Sequence, residues 1–219
     1  MPKEPLEQSF FHEFLVLVLV NVAMFILGYR LYPDVFRFYD HPLSEIGAVR
    51  TSSGVPNSPA HVVFTLQMFF NSIFFFSLGG KIYTSDTRYR KSYRFLCRLT
   101  AVGMLILMYP YDINNPFHSV GTGIMAGSIL LIHTLAIKES LSRQKDSMLS
   151  ALRALEWSLV VTYAFATALD LSRKHAIQKV MVLALGLTTL AASATMQKVS
   201  LVQTDRIDMD DGSEAADSP

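Results

Sequence analysis

Acidic and imidazole side chains gather in two stretches of the sequence that border long apolar segments. The first stretch places Ser44 and Glu45 ahead of His61, and the second, YPYDINNPFH, places Asp112 ahead of His118. Carboxylates and imidazoles can transfer protons, and a serine hydroxyl becomes a nucleophile when a base lies close to it. We therefore predict a polar site whose candidate catalytic residues are Ser44, Glu45, Asp112 and His118.

A metal centre is a second chemistry that these residue types allow. A catalytic zinc ion takes three protein ligands and keeps one position open, and the candidate ligands are His61, His118 and Asp170. No HxH or HxxxH spacing joins the histidines, and Ser44 lies in no nucleophile-elbow pattern. A haem-binding membrane enzyme that uses His61 and His118 is a related alternative. The residues therefore leave open which cofactor, if any, is bound and whether the chain is an enzyme.

Six apolar segments must position these residues. Hydrophobic residues make up 51% of the 219-residue chain and charged residues 17%, which is too apolar for an ordinary soluble domain. A transmembrane helix needs about 20 mostly apolar residues. The apolar runs predict an all-α, polytopic transmembrane bundle of six helices in a single domain, residues 1–200. The helices are expected at about 10–30, 60–80, 95–111, 116–137, 152–172 and 179–198.

The distribution of basic residues predicts the topology of this bundle. Six Lys and Arg residues lie within residues 81–98, from the end of the second segment to the start of the third, and cytosolic loops of membrane proteins are enriched in such residues. With both termini in the cytosol, the inner side receives thirteen Lys and Arg residues and the outer side six. We therefore predict cytosolic termini, a polar site on the outer side, and a disordered acidic cytosolic tail at residues 201–219.

Small and amide side chains inside the segments are predicted to pack the helices together. Ser119, Gly123 and Gly127 recur every four residues, a pattern that lets a neighbouring helix approach closely. Gln67 and Asn71 lie near the middle of the second segment, where interhelical hydrogen bonds are expected. We therefore assign these five residues to helix packing.

Two charged residues near the inner end of the fifth segment have a local explanation. Arg153 and Glu156 are three residues apart, a spacing that brings opposite charges together on one helix face. We therefore predict an ion pair between them, and we expect His133 at the cytosolic interface.

Two motifs resemble known families of membrane proteins. The segment HPLSEIGAVRTSSGVPNSPAHVVF resembles the Ser-Asp-x-Gly loop, followed by a proline and a helix, of the Frag1/DRAM/Sfk1 family of six-helix membrane proteins. The stretch MYPYDINNPFHSVGTGIMAG is similar to that family and to the DUF998 family, in which a proline, an aspartate and a histidine precede the fourth helix. Glu45 departs from the family pattern, which has aspartate there. The matching positions are Ser44, Glu45, Ile46, Gly47, Pro110, Asp112 and His118.

The resemblance implies a function in lipid processing. The first family includes Golgi and endoplasmic-reticulum proteins that support remodelling of the lipid part of GPI anchors, and lysosomal or plasma-membrane proteins. It therefore implies an integral protein of an endomembrane (Golgi, endoplasmic reticulum or lysosome) or of the plasma membrane. We expect an outer-leaflet polar site that engages a lipid headgroup and assists lipid or GPI-anchor remodelling.

The expected partners are membrane lipids, together with GPI-anchored or other membrane proteins, and no nucleic acid. Two alternatives to this function remain at the level of the sequence. One is the haem- or metal-binding membrane enzyme described above. The other is a non-catalytic assembly or scaffold subunit, which is favoured if the outer acids and histidines lie apart in space.

Overall fold

The structure is a computed structural model that describes residues 6–83, 88–143, 147–188 and 190–191. In these residues the chain folds into successive α-helices joined by loops. No β-strand occurs in these residues, so the all-α prediction is confirmed for them. The helices are α1 (Leu6–Leu31), α2 (Ser58–Tyr83), α3 (Arg90–Leu107), α4 (Asn115–Arg143), α5 (Ser147–Ala168) and α6 (residues 174–188), with a short 3-10 helix at Leu43–Gly47.

Three of these helices are long and apolar enough to cross a membrane. They contain the stretches His12–Leu31, Ser58–Ile82 and Asn115–Glu139, which lie in the first, second and fourth predicted segments. α3 and α5 are more polar, because basic residues fill the first half of α3 and an arginine and a glutamate lie within α5. The length and composition of the three apolar helices support a membrane protein.

The bounds of α3 and α5 differ from the predicted ones at both ends. α3 begins at Arg90 rather than at residue 95, because lysine and arginine favour helix and extend it beyond the apolar run. It ends at Leu107 rather than at residue 111, ahead of Pro110, which has no N–H group for a helical hydrogen bond. α5 ends at Ala168 rather than at residue 172. Asp170 has a φ of 51°, the left-handed conformation that ends helices.

Parts of two predicted segments lie outside the described residues. They are the acidic tail at residues 201–219 and the last residues of the sixth predicted helix. The described part of the sixth helix begins at residue 174, before the predicted start at 179.

Consecutive helices pack against each other in chain order. α3 lies between α2 and α4, α1 packs on α2, and α5 packs on α4. The central core contains Leu78 of α2, Cys97 and Met104 of α3, and Ile132 of α4. Many other apolar side chains of α1 and α2 are exposed, which is the arrangement expected of helices that face lipid.

An amide cluster joins α1 to α2 within the apolar region. The side-chain nitrogens of Gln67 and Asn71 both donate to Oδ1 of Asn21, each at 2.7 Å. Asn21 Nδ2 donates in return to Asn71 Oδ1 at 2.9 Å. Interhelical hydrogen bonds in membranes contribute about 0.6–2 kcal/mol each. Gln67 and Asn71 thus connect the two helices through Asn21, a partner that sequence reasoning did not identify.

The predicted small-residue stripe of α4 does not pack helices within the described residues. A Cβ atom added at Gly123 or Gly127 would meet nothing within 4 Å there, and Ser119 is exposed. The close approach of α3 to α4 uses Gly103 and Gly121 instead. A Cβ on Gly103 would lie 3.0 Å from the Gly121 carbonyl oxygen. A four-residue spacing identifies a stripe of small residues, but it does not say which face of the helix meets a neighbour.

Alanine substitution at these two kinds of glycine is expected to have different effects on stability. Gly103→Ala should lower the free energy of unfolding by about 1–3 kcal/mol, because the added methyl group overpacks the contact with α4. Gly123→Ala is the matched control and should leave the stability unchanged or raise it by up to about 1 kcal/mol. Thermal unfolding can be followed with a thiol-reactive dye, because Cys97 is buried and free. Equal effects of the two changes would contradict this assignment.

Candidate functional site

The first loop, residues 32–57, folds back against the ends of α1 and α2. Its 3-10 helix buries Ile46, which is 2% exposed. A Cβ atom on Gly47 would clash with the Phe64 ring, and one on Gly28 would lie 2.8 Å from the Ile46 side chain. The Ile-Gly half of the Ser-Glu-Ile-Gly motif is therefore explained by packing. Ile46 anchors the loop by its buried side chain, and Gly47 follows it because a side chain would not fit beside the Phe64 ring.

Glu45 is a buried carboxylate that joins three parts of the chain. It is 1% exposed, and its Oε1 accepts hydrogen bonds from the Tyr32 hydroxyl at 2.8 Å and from the Ser52 backbone N–H at 2.9 Å. Its Oε2 accepts from the Tyr111 hydroxyl. Tyr32 directly follows α1, and Tyr111 belongs to the connection between α3 and α4. One carboxylate therefore joins the start and the end of the first loop and fixes the loop to the connection between α3 and α4.

The two tyrosine hydroxyls keep their protons in this arrangement. Burial raises the pKa of Tyr32 and of Tyr111, and the hydrogen bond to Glu45 and its negative charge raise both further. Both hydroxyls therefore remain donors, as a carboxylate acceptor requires. Since donors occupy both oxygens of Glu45, this side chain anchors the loop in the observed conformation.

Asp112 fastens the first loop from the connection between α3 and α4. Its two carboxylate oxygens accept from the backbone N–H groups of Val49 and Arg50, each at 3.1 Å. Hydrogen bonds to charged acceptors are stronger than those between neutral groups. Asn114 caps α4, since its Oδ1 accepts from the Phe117 N–H at 3.1 Å. Within the predicted YPYDINNPFH motif, Asn114 therefore caps α4 and Asp112 binds the first loop.

Side chains at the start of α2 satisfy carbonyl groups in and next to the 3-10 helix. Asn57 Nδ2 donates to the carbonyl oxygens of Ile46 at 3.0 Å and of Ala48 at 2.9 Å. His61 Nδ1 lies 2.8 Å from the Gly47 carbonyl oxygen. Because a carbonyl oxygen can only accept, Nδ1 of His61 carries the hydrogen. His61 therefore acts on the backbone of the loop.

His118 is the buried imidazole of the second predicted motif. It is 4% exposed, and its Nδ1 donates to the Tyr109 carbonyl oxygen at 2.9 Å. The centres of the His118 and Tyr111 rings are 6.1 Å apart. Its Nε2 is buried and has no hydrogen-bond partner in the described part of the chain. In the neutral imidazole this nitrogen is an acceptor, so it can receive a hydroxyl or ammonium donor.

α6 holds the first loop from another side. Lys179, which is 6% exposed, donates from Nζ to the His41 carbonyl oxygen at 2.6 Å and lies 4.8 Å from the centre of the Phe38 ring. Gln178 Oε1 accepts from the Leu43 N–H at 3.1 Å. The loop is therefore fixed by α6 as well as by α2 and the connection between α3 and α4.

Two predicted site residues do not take part in these contacts. Asp170 is exposed and forms an ion pair with Lys174, whose hydrogen bond and charge lower the Asp170 pKa. Ser44 is half-buried, and its side chain makes no hydrogen bond to another described residue. No group of three or more His, Cys, Asp or Glu side chains in the described ranges could hold a metal ion. The candidate ligands His61, His118 and Asp170 are therefore not assembled there.

Three residues that complete the site were missed by sequence reasoning. Tyr32 and Tyr111 supply the hydroxyls that surround Glu45, and Asn57 binds the 3-10 helix. Tyr111 adjoins a predicted motif and Asn57 directly precedes α2, so position in the sequence was an available signal for both. No pattern pairs Tyr32 with Glu45, because that contact depends on the reversal of the loop.

A second buried polar cluster lies between α4, α5 and α6. Glu156, which is 1% exposed, places Oε1 2.6 Å from His133 Nδ1 and accepts at the same oxygen from the Thr188 hydroxyl. Its Oε2 is buried and has no hydrogen-bond partner among the described residues. The predicted ion pair of Glu156 with Arg153 is not formed in this part of the chain. Glu156 faces the interior, where His133 and Thr188 are the partners of its Oε1.

The fold and the anchored loop define a helical membrane protein with an ordered polar loop at one end of the bundle. No family model matches the chain, and no curated protein or solved structure matches it. The functional assignment therefore rests on the residues of this chain.

Proposed function

We propose that the chain crosses the membrane six times, with both termini in the cytosol. Its outer-facing first loop would then engage a lipid headgroup and assist lipid or GPI-anchor remodelling. The excess of Lys and Arg on one side supports the topology. In this proposal α3, α5 and α6 cross the membrane in addition to α1, α2 and α4. The resemblance of the motifs at residues 44–47 and 110–118 to the Frag1/DRAM/Sfk1 family, which includes proteins that support GPI-anchor remodelling, supports the function.

The exposed face of the first loop is the observation that carries the proposal. Val35, Phe38 and Tyr39 are 71%, 52% and 70% exposed, and Arg37 is exposed between them. Aromatic side chains concentrate at the membrane–water interface, and arginine binds phosphate groups through a planar set of donors. A surface of this composition, next to the end of an apolar helix, suits the headgroup layer of a membrane.

The buried contacts of the loop support this function because they hold the exposed face in place. Glu45 and Asp112 bind the loop to the connection between α3 and α4, and Lys179 binds it to α6. A surface held in one conformation loses less entropy when it binds.

The scaffold alternative is supported by a different observation. His61 and His118 each bind a different backbone carbonyl group, and Asp170 binds Lys174. These side chains therefore act one by one on the protein itself rather than together on one ligand. In a scaffold subunit, the exposed face of the loop would contact another membrane protein.

Photo-crosslinking tests headgroup engagement directly. The purified full chain, in nanodiscs that contain phosphatidylinositol with a photoactivatable headgroup, is expected to crosslink at the first loop. Arg37→Gln combined with Tyr39→Ala should lower the yield by about fivefold or more, because a basic residue near the membrane surface contributes about 1 kcal/mol. As a control, Arg173→Gln with Leu171→Ala changes an exposed arginine and an exposed large apolar residue outside the loop. Equal yields from both double variants would overturn headgroup engagement and favour the scaffold.

Remodelling requires a separate test in cells. Cells that carry Asp112→Ala with His118→Ala, at wild-type expression levels, are expected to show an altered lipid part in their GPI-anchored proteins, measured by mass spectrometry. The two changes free the loop and remove the buried imidazole. Anchor lipids identical to those of wild-type cells would overturn the role in remodelling.

A further inference from the structure

A basic cavity lies at the end of the bundle away from the first loop. It is lined by Lys91, Arg94, Phe95 and Arg98 of α3 and has a volume of about 320 Å³. α3 runs from this end to the α3–α4 connection, which contacts the first loop. Its 18 residues span about 27 Å at 1.5 Å per residue. The basic cavity is therefore a different site from the one formed by the first loop.

The four residues of the basic cavity share one face of α3. Positions 91, 94, 95 and 98 are three or four residues apart, a spacing that makes side chains neighbours on a helix surface. Leu96 and Cys97 turn away from this face and belong to the buried core. Three positive charges and one aromatic ring are thus presented together.

The charges of Lys91 and Arg98 are available to an external anion. Lys91 and Arg98 form no ion pair with an acidic side chain in the described part of the chain. The Arg98 guanidinium lies 5.5 Å from the centre of the Phe76 ring on α2. Phe76 and Phe95 are 59% and 64% exposed. Basic side chains therefore line an open cavity, and the exposed rings of Phe76 and Phe95 lie beside them.

We propose that the basic cavity binds the phosphate group of an anionic phospholipid. Arginine and lysine form charge-assisted hydrogen bonds to phosphate oxygens, and basic pockets beside transmembrane helices bind anionic headgroups. A soluble phosphate ester has the same charged group but no apolar part. The exposed rings of Phe76 and Phe95 favour the lipid, since they can contact its carbon chains. This site is independent of the headgroup site proposed for the first loop, and each can exist without the other.

Phosphatidic acid is the simplest lipid probe, because its headgroup is a phosphate alone. The full chain is placed in phosphatidylcholine nanodiscs with increasing phosphatidic acid, and the retained lipid is counted by native mass spectrometry. Wild type is expected to retain phosphatidic acid over phosphatidylcholine. Lys91→Gln with Arg98→Gln should weaken binding about 25-fold, because each basic residue near a membrane contributes about fivefold.

Two further double variants separate the cavity from general attraction and from misfolding. Arg90→Gln with Lys138→Gln removes two charges outside the cavity lining. It should weaken binding by less than about threefold, because these two side chains do not line the cavity and act on the phosphate only through solvent, where salt screens them. Lys91→Arg with Arg98→Lys keeps both charges and should bind like wild type.

Three results would overturn the proposal. The first is an equal loss of binding in the two charge-removing variants, which would show attraction without a site. The second is a wild type that does not discriminate between phosphatidic acid and phosphatidylcholine. The third is full competition by inorganic phosphate at concentrations similar to that of the lipid, which would identify a soluble ligand instead.

Discussion

Glu45→Ala is expected to release the first loop and to lower the free energy of unfolding by about 3 kcal/mol or more. The change removes the shared acceptor of Tyr32, Tyr111 and Ser52. Each buried donor left without a partner destabilises the fold by about 1–3 kcal/mol, and the lost side chain leaves a cavity in addition. Thermal unfolding with a dye that labels Cys97 measures the global effect. Hydrogen exchange across residues 43–57 measures the release of the loop.

Two variants show whether the effect of Glu45 comes from its position at the centre of these contacts. Glu45→Gln keeps one acceptor oxygen and should fall between wild type and Glu45→Ala in stability. Asp34→Ala removes a carboxylate from the same loop that binds the Ser53 hydroxyl and the Val35 N–H near the surface, and it should have a much smaller effect. If Asp34→Ala and Glu45→Ala were equally destabilised, Glu45 would not be the main anchor.

Sequence reasoning recovered the apolar helices better than their contacts. A long uncharged run is a physical requirement for crossing a bilayer, and three such runs coincide with α1, α2 and α4. The contacts between helices depend on which face turns inward. Gly103 and Gly121 meet at the α3–α4 contact, while Gly123 and Gly127 do not, although the latter pair belongs to the clearer pattern. All the neighbours of a helix together determine its rotation about its axis. A local sequence pattern therefore does not predict which face of the helix meets a neighbour.

The candidate site was predictable in its residues but not in their roles. The position of Glu45 and Asp112 beside apolar helices marked both, because charged groups near a membrane need partners. Their partners are Tyr32, Ser52 and the backbone at Val49, which become neighbours only when the first loop reverses. A prediction of chemistry from carboxylates and imidazoles therefore selected residues that the fold uses as anchors.

Glu156→Ala is expected to loosen α5 and α6 from α4. The change removes the carboxylate that His133 and Thr188 share in a buried position. Each buried donor that is left without a partner typically lowers stability by about 1–3 kcal/mol. Faster hydrogen exchange in residues 147–188, with slower exchange retained in α2 and α3, would locate the loss at this contact. Glu156→Gln keeps an acceptor oxygen for the Thr188 hydroxyl and should destabilise less.

Arg153→Gln is the matched control for Glu156, because it removes the partner that helix spacing favours. Arg153 lies one turn away on the same helix, but Glu156 is bound to α4 and α6 within the described residues. The observed contacts therefore predict that Arg153→Gln leaves the exchange of α6 unchanged. A loss as large as that of Glu156→Ala would mean that a local ion pair on α5, rather than a contact across three helices, holds this carboxylate.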